Sequence, residues 1–278
     1  MPTSLRLRAA RTACVVLALL LPSVMAAGPA GAVPAPARQV RVLQLNLCGS
    51  GYAVCFTGRA PAQAARAVRA AGPDVVTLNE VCADSLPVLA RAVRDAHRGA
   101  DGAVERAFEP VVDRRTGAAV RCVDGSRYGV AVLAWHDGRA GWERTAGSYP
   151  VQDRGQDEQR VWLCLRSARL VACTTHLASG DPATTVAQCR YLVGTVLPAQ
   201  ARDGVPVVAA GDLNLWAGPA AAARPLSACV GPGPFGHVDD GVQHVLSAGL
   251  DAAGSRAVTM AGTTDHPGLL VGLDRPAP

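Results

Sequence analysis

The chain has 278 residues, of which 49% are hydrophobic and 4% aromatic, with 27 basic and 22 acidic residues. The formal net charge is +5, but three arginines and no acid lie in residues 1–32, so the remaining balance of 24 − 22 = +2 is too small to argue by itself for nucleic-acid binding. All the basic residues are arginine, a side chain that also suits bidentate phosphate contacts.

The N-terminal segment is typical of a secretory signal peptide. Arg6, Arg8 and Arg11 precede the apolar run ACVVLALLLP, and small residues follow it. The run is too short to span a bilayer as a stable helix, and no later apolar stretch is long enough. Cys14 lies at the start of the run, which argues against a lipoprotein anchor. We therefore predict a signal peptide at residues 1–32, followed by a short tether at 34–38.

The remaining chain predicts an α/β domain. Roughly 250 residues suit one large α/β domain or two small ones. Helices are predicted at 59–73, 84–97 (capped by Asp84 or Ser85) and 182–201. Strands are predicted at 39–48, 74–81, 103–112, 128–135, 160–177 (a hairpin), 205–214, 242–250, 255–262 and 267–273. Residues 140–159 and 217–241 are predicted as loops. Alternating elements followed by hairpins indicate sheets packed face to face, with helices outside.

Several predicted strands end in a polar side chain. VLQLN ends at Asn46, VVTLNE at Glu80 and LVACTTH at His176, while VVAAGDLN carries Asp212 and Asn214. Asp265 and His266 stand just before the last strand. Each residue alone is explained by a turn, a solvated strand end or a hydrogen-bonded histidine. A turn does not need Glu or His, however, and together these positions predict one shared site at a rim of the sheets.

The chemistry of this set indicates metal-assisted phosphoester hydrolysis. Carboxylate and amide oxygens suit Mg²⁺, which usually keeps waters and shares phosphate oxygens of the substrate. Two imidazoles can transfer protons or steady a phosphate. No Ser or Cys nucleophile stands beside a base.

The motifs LNLC, LNEV, THL, GDLN and TDH, in this order, resemble the endonuclease/exonuclease/phosphatase superfamily, the deoxyribonuclease I-like fold. The resemblance covers essentially all of residues 33–278. It implies a four-layer α/β-sandwich, with two packed mixed β-sheets flanked by helices.

The resemblance also implies a role for each residue. Asn46 and Glu80 would hold the metal, with Glu80 as the principal ligand, and Asp265 would support the metal or the neighbouring histidine. His176 would bind the scissile phosphate or act as an acid. Asp212 would align or activate water, and Asn214 would hold a phosphate oxygen. His266 would be the general base or a phosphate contact, and Arg160 would face the phosphate.

The sequence departs from the family pattern at three places. GDLN replaces the usual GDFN, and Thr264 replaces the usual Ser before Asp-His. Gln243 stands where relatives often carry an Asp that pairs with the catalytic His. Asp239 or Asp240 could substitute after a small shift, or His266 could work without a carboxylate partner.

The resulting hypothesis is a secreted, monomeric, Mg²⁺-dependent phosphodiesterase (Mn²⁺ as an alternative ion) that uses direct water attack. Nucleic acid is the first expected substrate. A sphingomyelinase-type or phosphoinositide activity on a phospholipid head group is the alternative, which exposed apolar loop residues would favour. Trp216 could serve as a membrane anchor or a base-stacking platform. A non-catalytic binding protein on the same fold is the alternative of another class. His97, His136, His237 and His244 are interpreted as structural.

Eight cysteines remain beyond the signal peptide, and an even number in an exported chain predicts disulfides. No C-x-x-C pair occurs, which argues against zinc. Cys164 and Cys173 fall opposite each other if the hairpin turn is centred on Ala168 and Arg169. The predicted pairs are 48–55, 82–122, 164–173 and 189–229, with Cys48–Cys82 as a rival pairing.

Overall fold

A computed structural model describes residues 39–138, 141–218, 224–231 and 233–275. The predicted signal peptide and tether lie outside these residues. Four helices are present: α1 (Ala60–Ala71), α2 (Leu86–Ala96), α3 (Pro182–Tyr191) and α4 (Leu197–Gln200). The strands are β1 (Val40–Asn46), β2 (Val75–Cys82), β3 (Ala103–Pro110), β4 (Tyr128–His136), β5 (Glu143–Ser148), β6 (Val161–Arg166), β7 (Val171–His176), β8 (Val207–Asp212), β9 (Gly236–Asp240), β10 (Gln243–Ala248), β11 (Asp251–Val258) and β12 (Gly268–Asp274). No helix among the described residues is long and apolar enough to cross a membrane.

Two mixed six-stranded sheets form the centre of the fold. The first has the order β11-β12-β1-β2-β4-β3, and the second β5-β6-β7-β8-β10-β9. One pair in each sheet is parallel, β1 with β2 and β7 with β8, and the other pairs are antiparallel. A buried apolar cluster lies between the sheets, and one further cluster on each side joins a sheet to its helices. The predicted four-layer α/β-sandwich is confirmed.

The parallel pairs place the predicted site. β1 and β2 finish side by side with Asn46 opposite Asn79, and β7 and β8 finish with His176 opposite Asp212. Asn46 donates a hydrogen bond to Asp212 across the two sheets, so both pairs of strand ends lie at one end of the sandwich, here called the site end. Gly211 permits the close approach of β7 and β8, since a Cβ there would lie 2.0 Å from the Thr175 carbonyl oxygen.

Two strands form where the sequence predicts loops. β5 lies within 140–159 and β9 within 217–241, and both are edge strands of the second sheet. Their sequences, ERTAGS and GHVDD, carry too few apolar residues for a strand pattern, because an edge strand buries little.

The third predicted helix is interrupted. A π-helical turn, Leu192–Val196, separates α3 from α4. The backbone stays helical through this turn, and Pro198, which has no N–H to donate, follows it in the first turn of α4, so the change of helical geometry lies where a regular helical hydrogen bond is lost. Ser85 is the N-cap residue of α2, but neither it nor Asp84 caps the helix through its side chain, because a 3₁₀ turn over Ala83–Ser85 leads into α2.

All four predicted disulfides are present: Cys48–Cys55, Cys82–Cys122, Cys164–Cys173 and Cys189–Cys229. Cys164 and Cys173 are directly opposite in the β6–β7 ladder, with the turn centred as predicted. The rival Cys48–Cys82 pairing is therefore wrong.

Candidate active site

Asn46 links the two carboxylates at the site end. Its Nδ2 donates to Glu80 Oε1 at 2.9 Å and to Asp212 Oδ2 at 3.1 Å. Its Oδ1 accepts the Cys48 backbone N–H at 3.0 Å, which fixes the orientation of the amide. Side chains from both sheets therefore meet at one point between the strand ends.

The backbone at Glu80 is unusual. Its φ is +52°, a left-handed conformation that costs an ordinary residue about 1–2 kcal/mol. The β2–β4 register shifts between Leu78 and Val81, so Glu80 sits in a bulge. The Glu80 carbonyl accepts the Gly49 N–H at 2.8 Å, and a Cβ at Gly49 would lie 2.5 Å from that oxygen. The bulge thus sets the direction of the Glu80 carboxylate, and only glycine fits at position 49 beside it.

Asp212 is buried and held from several sides. Its Oδ2 accepts Gln243 Nε2 at 2.9 Å as well as the Asn46 amide, and its Oδ1 accepts the Asn214 N–H at 3.1 Å. Its own backbone N–H donates to Asn79 Oδ1 at 2.6 Å. Asn214 also has a positive φ of +51°, and its Nδ2 donates to the Leu177 carbonyl at 2.9 Å. GDLN therefore forms a fixed strand-to-loop corner.

Burial shifts the two carboxylates in the same direction. Burial raises the pKa of Glu80, opposed by the Asn46 hydrogen bond. Burial also raises the pKa of Asp212, opposed by Asn46 and by the nearby His266. Two desolvated acids that face one amide form a site whose charge a cation would stabilise.

The two histidines stand beside these acids. His176 Nδ1 lies 3.9 Å from Glu80 Oε1. Burial lowers the pKa of His176 well below its ordinary value, and the neighbouring Arg160 and His266 lower it further, so the ring is neutral at neutral pH. His266 Nε2 lies 3.7 Å from Asp212 Oδ2 and 3.6 Å from Asp265 Oδ2.

The carboxylates beside His266 are thus Asp212 and Asp265. Gln243 occupies the expected position of a partner acid, but its amide binds Asp212. Asp239 lies 3.5 Å from His237, on the edge strand β9. Among the described residues, no contact therefore supports Asp239 or Asp240 as the replacement acid partner of His266.

Arg160 lies beside Glu80 and His176, but part of its guanidinium is already hydrogen-bonded within the protein. Its Nη1 donates to Glu158 at 2.9 Å, while its buried Nε has no hydrogen-bond partner in the part of the chain that the structure describes. Together with Glu80, His176 and Tyr128 it lines a narrow recess at the site end. Arg160 therefore adds positive charge beside Glu80 and His176.

Asp265 is the least integrated of the predicted residues. Its carboxylate is half exposed and lies close to His266, and it lies near the Cys48–Cys55 disulfide. Its contacts therefore favour the support of His266 over direct ligation of a metal with Glu80. The cysteines in the two metal-like groups of the described residues are disulfide-bonded, so no thiolate is available there.

Sequence reasoning missed the buried amides behind the site. Gln44 Nε2 donates to Asn79 Oδ1 at 2.7 Å and to Gln243 Oε1 at 3.0 Å, which connects the two sheets. The available signal was the presence of Gln44 and Asn79 inside apolar strands, where an unpaired amide would be costly.

The whole arrangement matches known folds. Solved structures similar to this chain include the endonuclease/exonuclease/phosphatase of Beutenbergia cavernae DSM 12333 (21% identity, 86% of this chain, 72% of that chain, TM-score 0.62). The human Nocturnin catalytic domain with bound sulfate is similar at 14% identity, over 86% of this chain and 94% of that one, with a TM-score of 0.62. Truncated Caenorhabditis elegans TDP2 is similar at 16% identity, over 85% and 97%, with a TM-score of 0.58.

The sequence comparisons give one family and no curated relative. No curated protein matches the chain. The model of the Endonuclease/Exonuclease/phosphatase family matches residues 43–234, a span that includes Asn46, Glu80, His176 and Asp212. This match and the shared fold show that the chain belongs to the endonuclease/exonuclease/phosphatase family, whose members are hydrolases of phosphoester bonds that generally use divalent metal ions.

Proposed function

We propose that this protein is a secreted, Mg²⁺-dependent phosphodiesterase in which water attacks phosphorus directly. The observation that carries the proposal is the meeting of Glu80, Asp212 and Asn46, which brings two buried acids together beside two histidines. The four disulfides support an oxidising, extracellular location.

The donor set fits a hard divalent cation. Glu80 offers a carboxylate whose ionised form is disfavoured by burial, so a cation would stabilise it. Asn46 keeps its Oδ1 on the Cys48 N–H and its Nδ2 on the two acids, so it would hold Glu80 and Asp212 in place beside the ion rather than ligate it directly. A bound Mg²⁺ would supply charge neutralisation for the phosphate and its leaving oxygen.

The protein side chains would handle the proton and the phosphate. Asp212, fixed by three hydrogen bonds, would orient the attacking water and accept its proton. His266, within reach of Asp212 and Asp265, would bind or protonate a phosphate oxygen. His176, neutral at neutral pH, would donate a hydrogen bond to the phosphate, and the positive charge of Arg160 beside it would stabilise the phosphate. Asn214 would contribute a further phosphate contact.

Two substrate classes are candidates. Nucleic acid is the first, predicted from the family motifs. A phospholipid head group is the second, and it is favoured by a specific observation: large apolar side chains such as Tyr52, Val54 and Trp216 are exposed on loops beside the site.

The experiment is metal removal and replacement. We expect hydrolysis of bis(p-nitrophenyl) phosphate to stop with EDTA and to return with Mg²⁺ or Mn²⁺. Glu80→Gln should reduce turnover at least about 10²-fold, as for the loss of a key electrostatic group. Its thermal midpoint without metal should not fall, since a desolvated charge is removed.

The matched control is Glu143→Gln on the edge strand β5, where the carboxylate contacts only Arg202 at the surface in the described chain. This variant should keep wild-type turnover and metal response. Full activity after exhaustive chelation would contradict the proposed mechanism.

A further inference from the structure

The exposed apolar side chains are concentrated at one end of the molecule. Seven large hydrophobic side chains are exposed in the described part of the chain. All seven lie on segments that leave or enter strands at the site end, or on the first turn of α2 that follows β2: Tyr52, Val54, Phe56, Val88, Val123, Val151 and Trp216. Single exposed apolar residues are normal on a protein surface, but a distribution confined to one end marks an interaction surface.

Four of these side chains form one patch, here called the apolar rim: Tyr52, Val54, Phe56 and Val123. Val123 packs on the neighbouring loop, since a Cβ at Gly51 would lie 2.3 Å from its Cγ1, and its N–H donates to the Ser50 carbonyl at 2.9 Å. Tyr52 is 75% exposed and Val54 fully exposed. The rim therefore presents apolar groups outward from two loops that contact each other.

The apolar rim is held in place and adjoins the site. The Cys48–Cys55 bond closes its first loop, and Cys82–Cys122 ties its second loop to the end of β2. Phe56 and Val123 line a cleft of about 140 Å³ together with Glu80. A molecule that covers the rim would therefore lie directly beside the acid at the centre of the site.

The side chains and charges of the apolar rim favour a membrane over a nucleic acid as its partner. Stacking on nucleic-acid bases needs aromatic faces, but the most exposed side chain of the rim is Val54, and it and Val123 have none. The charges nearby are mixed, with Arg59 and Asp124 both exposed, whereas a polyanion needs a basic surface. Tyr52 beside Val54 on a loop tip suits a membrane interface, where a tyrosine ring lies at the head groups and methyl groups reach the acyl boundary.

We propose that the site end docks on a phospholipid bilayer through the apolar rim, which presents the phosphoester of a lipid head group to the site. The docking claim depends only on the exposed residues of the rim, while the use of the head group as substrate rests on the proposed function. The two most exposed side chains, Tyr52 and Val54, project from a loop tip outside the cleft, so a planar partner is favoured over a peptide.

The test is co-sedimentation of the full mature chain with 100 nm phosphatidylcholine vesicles, in EDTA so that no turnover occurs. We expect binding that persists at high salt. Tyr52→Ser and Val54→Ser should each weaken the vesicle partition coefficient about tenfold, as expected for the loss of a buried apolar side chain. Ala53→Ser, on the same exposed loop, is the matched control and should bind like wild type.

The outcomes separate docking from chemistry. All three variants should hydrolyse soluble bis(p-nitrophenyl) phosphate at the wild-type rate, because none lies in the catalytic set. If vesicles are bound but the soluble ester is never hydrolysed, docking stands and the proposed function fails. The absence of vesicle binding would overturn the docking surface. So would oligonucleotide binding that Tyr52→Ser weakens and Val54→Ser spares, or a concentration-dependent dimer that Val54→Ser dissociates.

Discussion

At the scale of single residues, the position of Asp212 depends on amides that never meet the substrate. Gln243 is fully buried and spans between Gln44 and Asp212. The Thr77 hydroxyl donates to Gln44 Oε1, so Nε2 of Gln44 must face Asn79 and Gln243. Because Gln243 Oε1 accepts from Gln44, its Nε2 faces the Asp212 carboxylate. An acid at position 243 would instead face Asp212 with a second carboxylate.

Gln243 is therefore expected to act as a positioning residue. Gln243→Leu should lower kcat about tenfold and the free energy of unfolding by about 1–3 kcal/mol, since Asp212 loses a donor and Gln44 loses an acceptor. Gln243→Glu keeps the shape but adds a carboxylate, and it should move the acid limb of the pH–rate profile upward. Steady-state kinetics and urea unfolding on the same samples measure both effects.

The matched control is Gln188→Leu. Gln188 is equally buried, but its amide bonds only backbone groups, the Ala178 N–H and the Val151 carbonyl. This variant should lose a similar amount of stability while its kcat stays within about twofold of wild type, because no reacting group depends on it. Equal kcat losses at positions 188 and 243 would show that Gln243 has only a structural role.

At the scale of elements, apolar periodicity was sufficient for the buried strands and the amphipathic helices. β1, β2, β7 and β8 are buried strands rich in apolar residues, and the side chains at their ends, Asn46, Glu80, His176 and Asp212, lie close together as expected. The edge strands β5 and β9 were missed because edge positions bury few side chains. The bulge at Glu80 was missed because its left-handed backbone is imposed by contacts with the β1 loop, which are distant in sequence.

The hairpin of β9 and β10 carries a histidine pair that makes folding sensitive to acid. His244 Nε2 contacts the Leu215 carbonyl at 2.8 Å, so its Nδ1 accepts from His237 Nε2 at 3.1 Å. The pKa of His244 is lowered to about 4, mainly by burial, which the Leu215 contact opposes and the neighbouring His237 reinforces. A proton on Nδ1 of His244 would place two donors face to face.

Acidification should therefore destabilise the fold through His244. The unfolded chain binds this proton below about pH 6.5 and the folded chain only near pH 4, so stability is lost as pH falls between these values. At pH 5 the loss from this residue should be about 2 kcal/mol. His244→Gln should flatten the urea-unfolding free energy between pH 7 and pH 5, whereas the partly exposed control His136→Gln should not. An unchanged slope in His244→Gln would contradict the assignment.

At the scale of the whole molecule, the disulfides divide between the site end and the scaffold. Cys48–Cys55 closes a loop of sequence separation 7 beside Asn46, whose amide is oriented by the Cys48 N–H. Cys82–Cys122 spans 40 residues and joins the end of β2 to the loop before β4. Cys164–Cys173 is buried within the second sheet, and Cys189–Cys229 holds α3 to the segment after Asn214. At the site end, the short Cys48–Cys55 bond thus bears mainly on the site, and the longer Cys82–Cys122 bond bears mainly on stability.

Removal of the two site-end disulfides should separate activity from stability. The chain-entropy model assigns about 4 kcal/mol to a loop of 40 residues and about 2 kcal/mol to one of 7. Cys82→Ser/Cys122→Ser should therefore lower the urea midpoint more. Cys48→Ser/Cys55→Ser should lower kcat more, because the freed loop no longer holds the Cys48 N–H against Asn46. For the same reason, graded reduction of the native protein should reduce turnover before the near-ultraviolet circular dichroism signal is lost. A parallel decline of turnover and that signal, or a greater kcat loss in the 82–122 variant, would show that the short loop does not control the site.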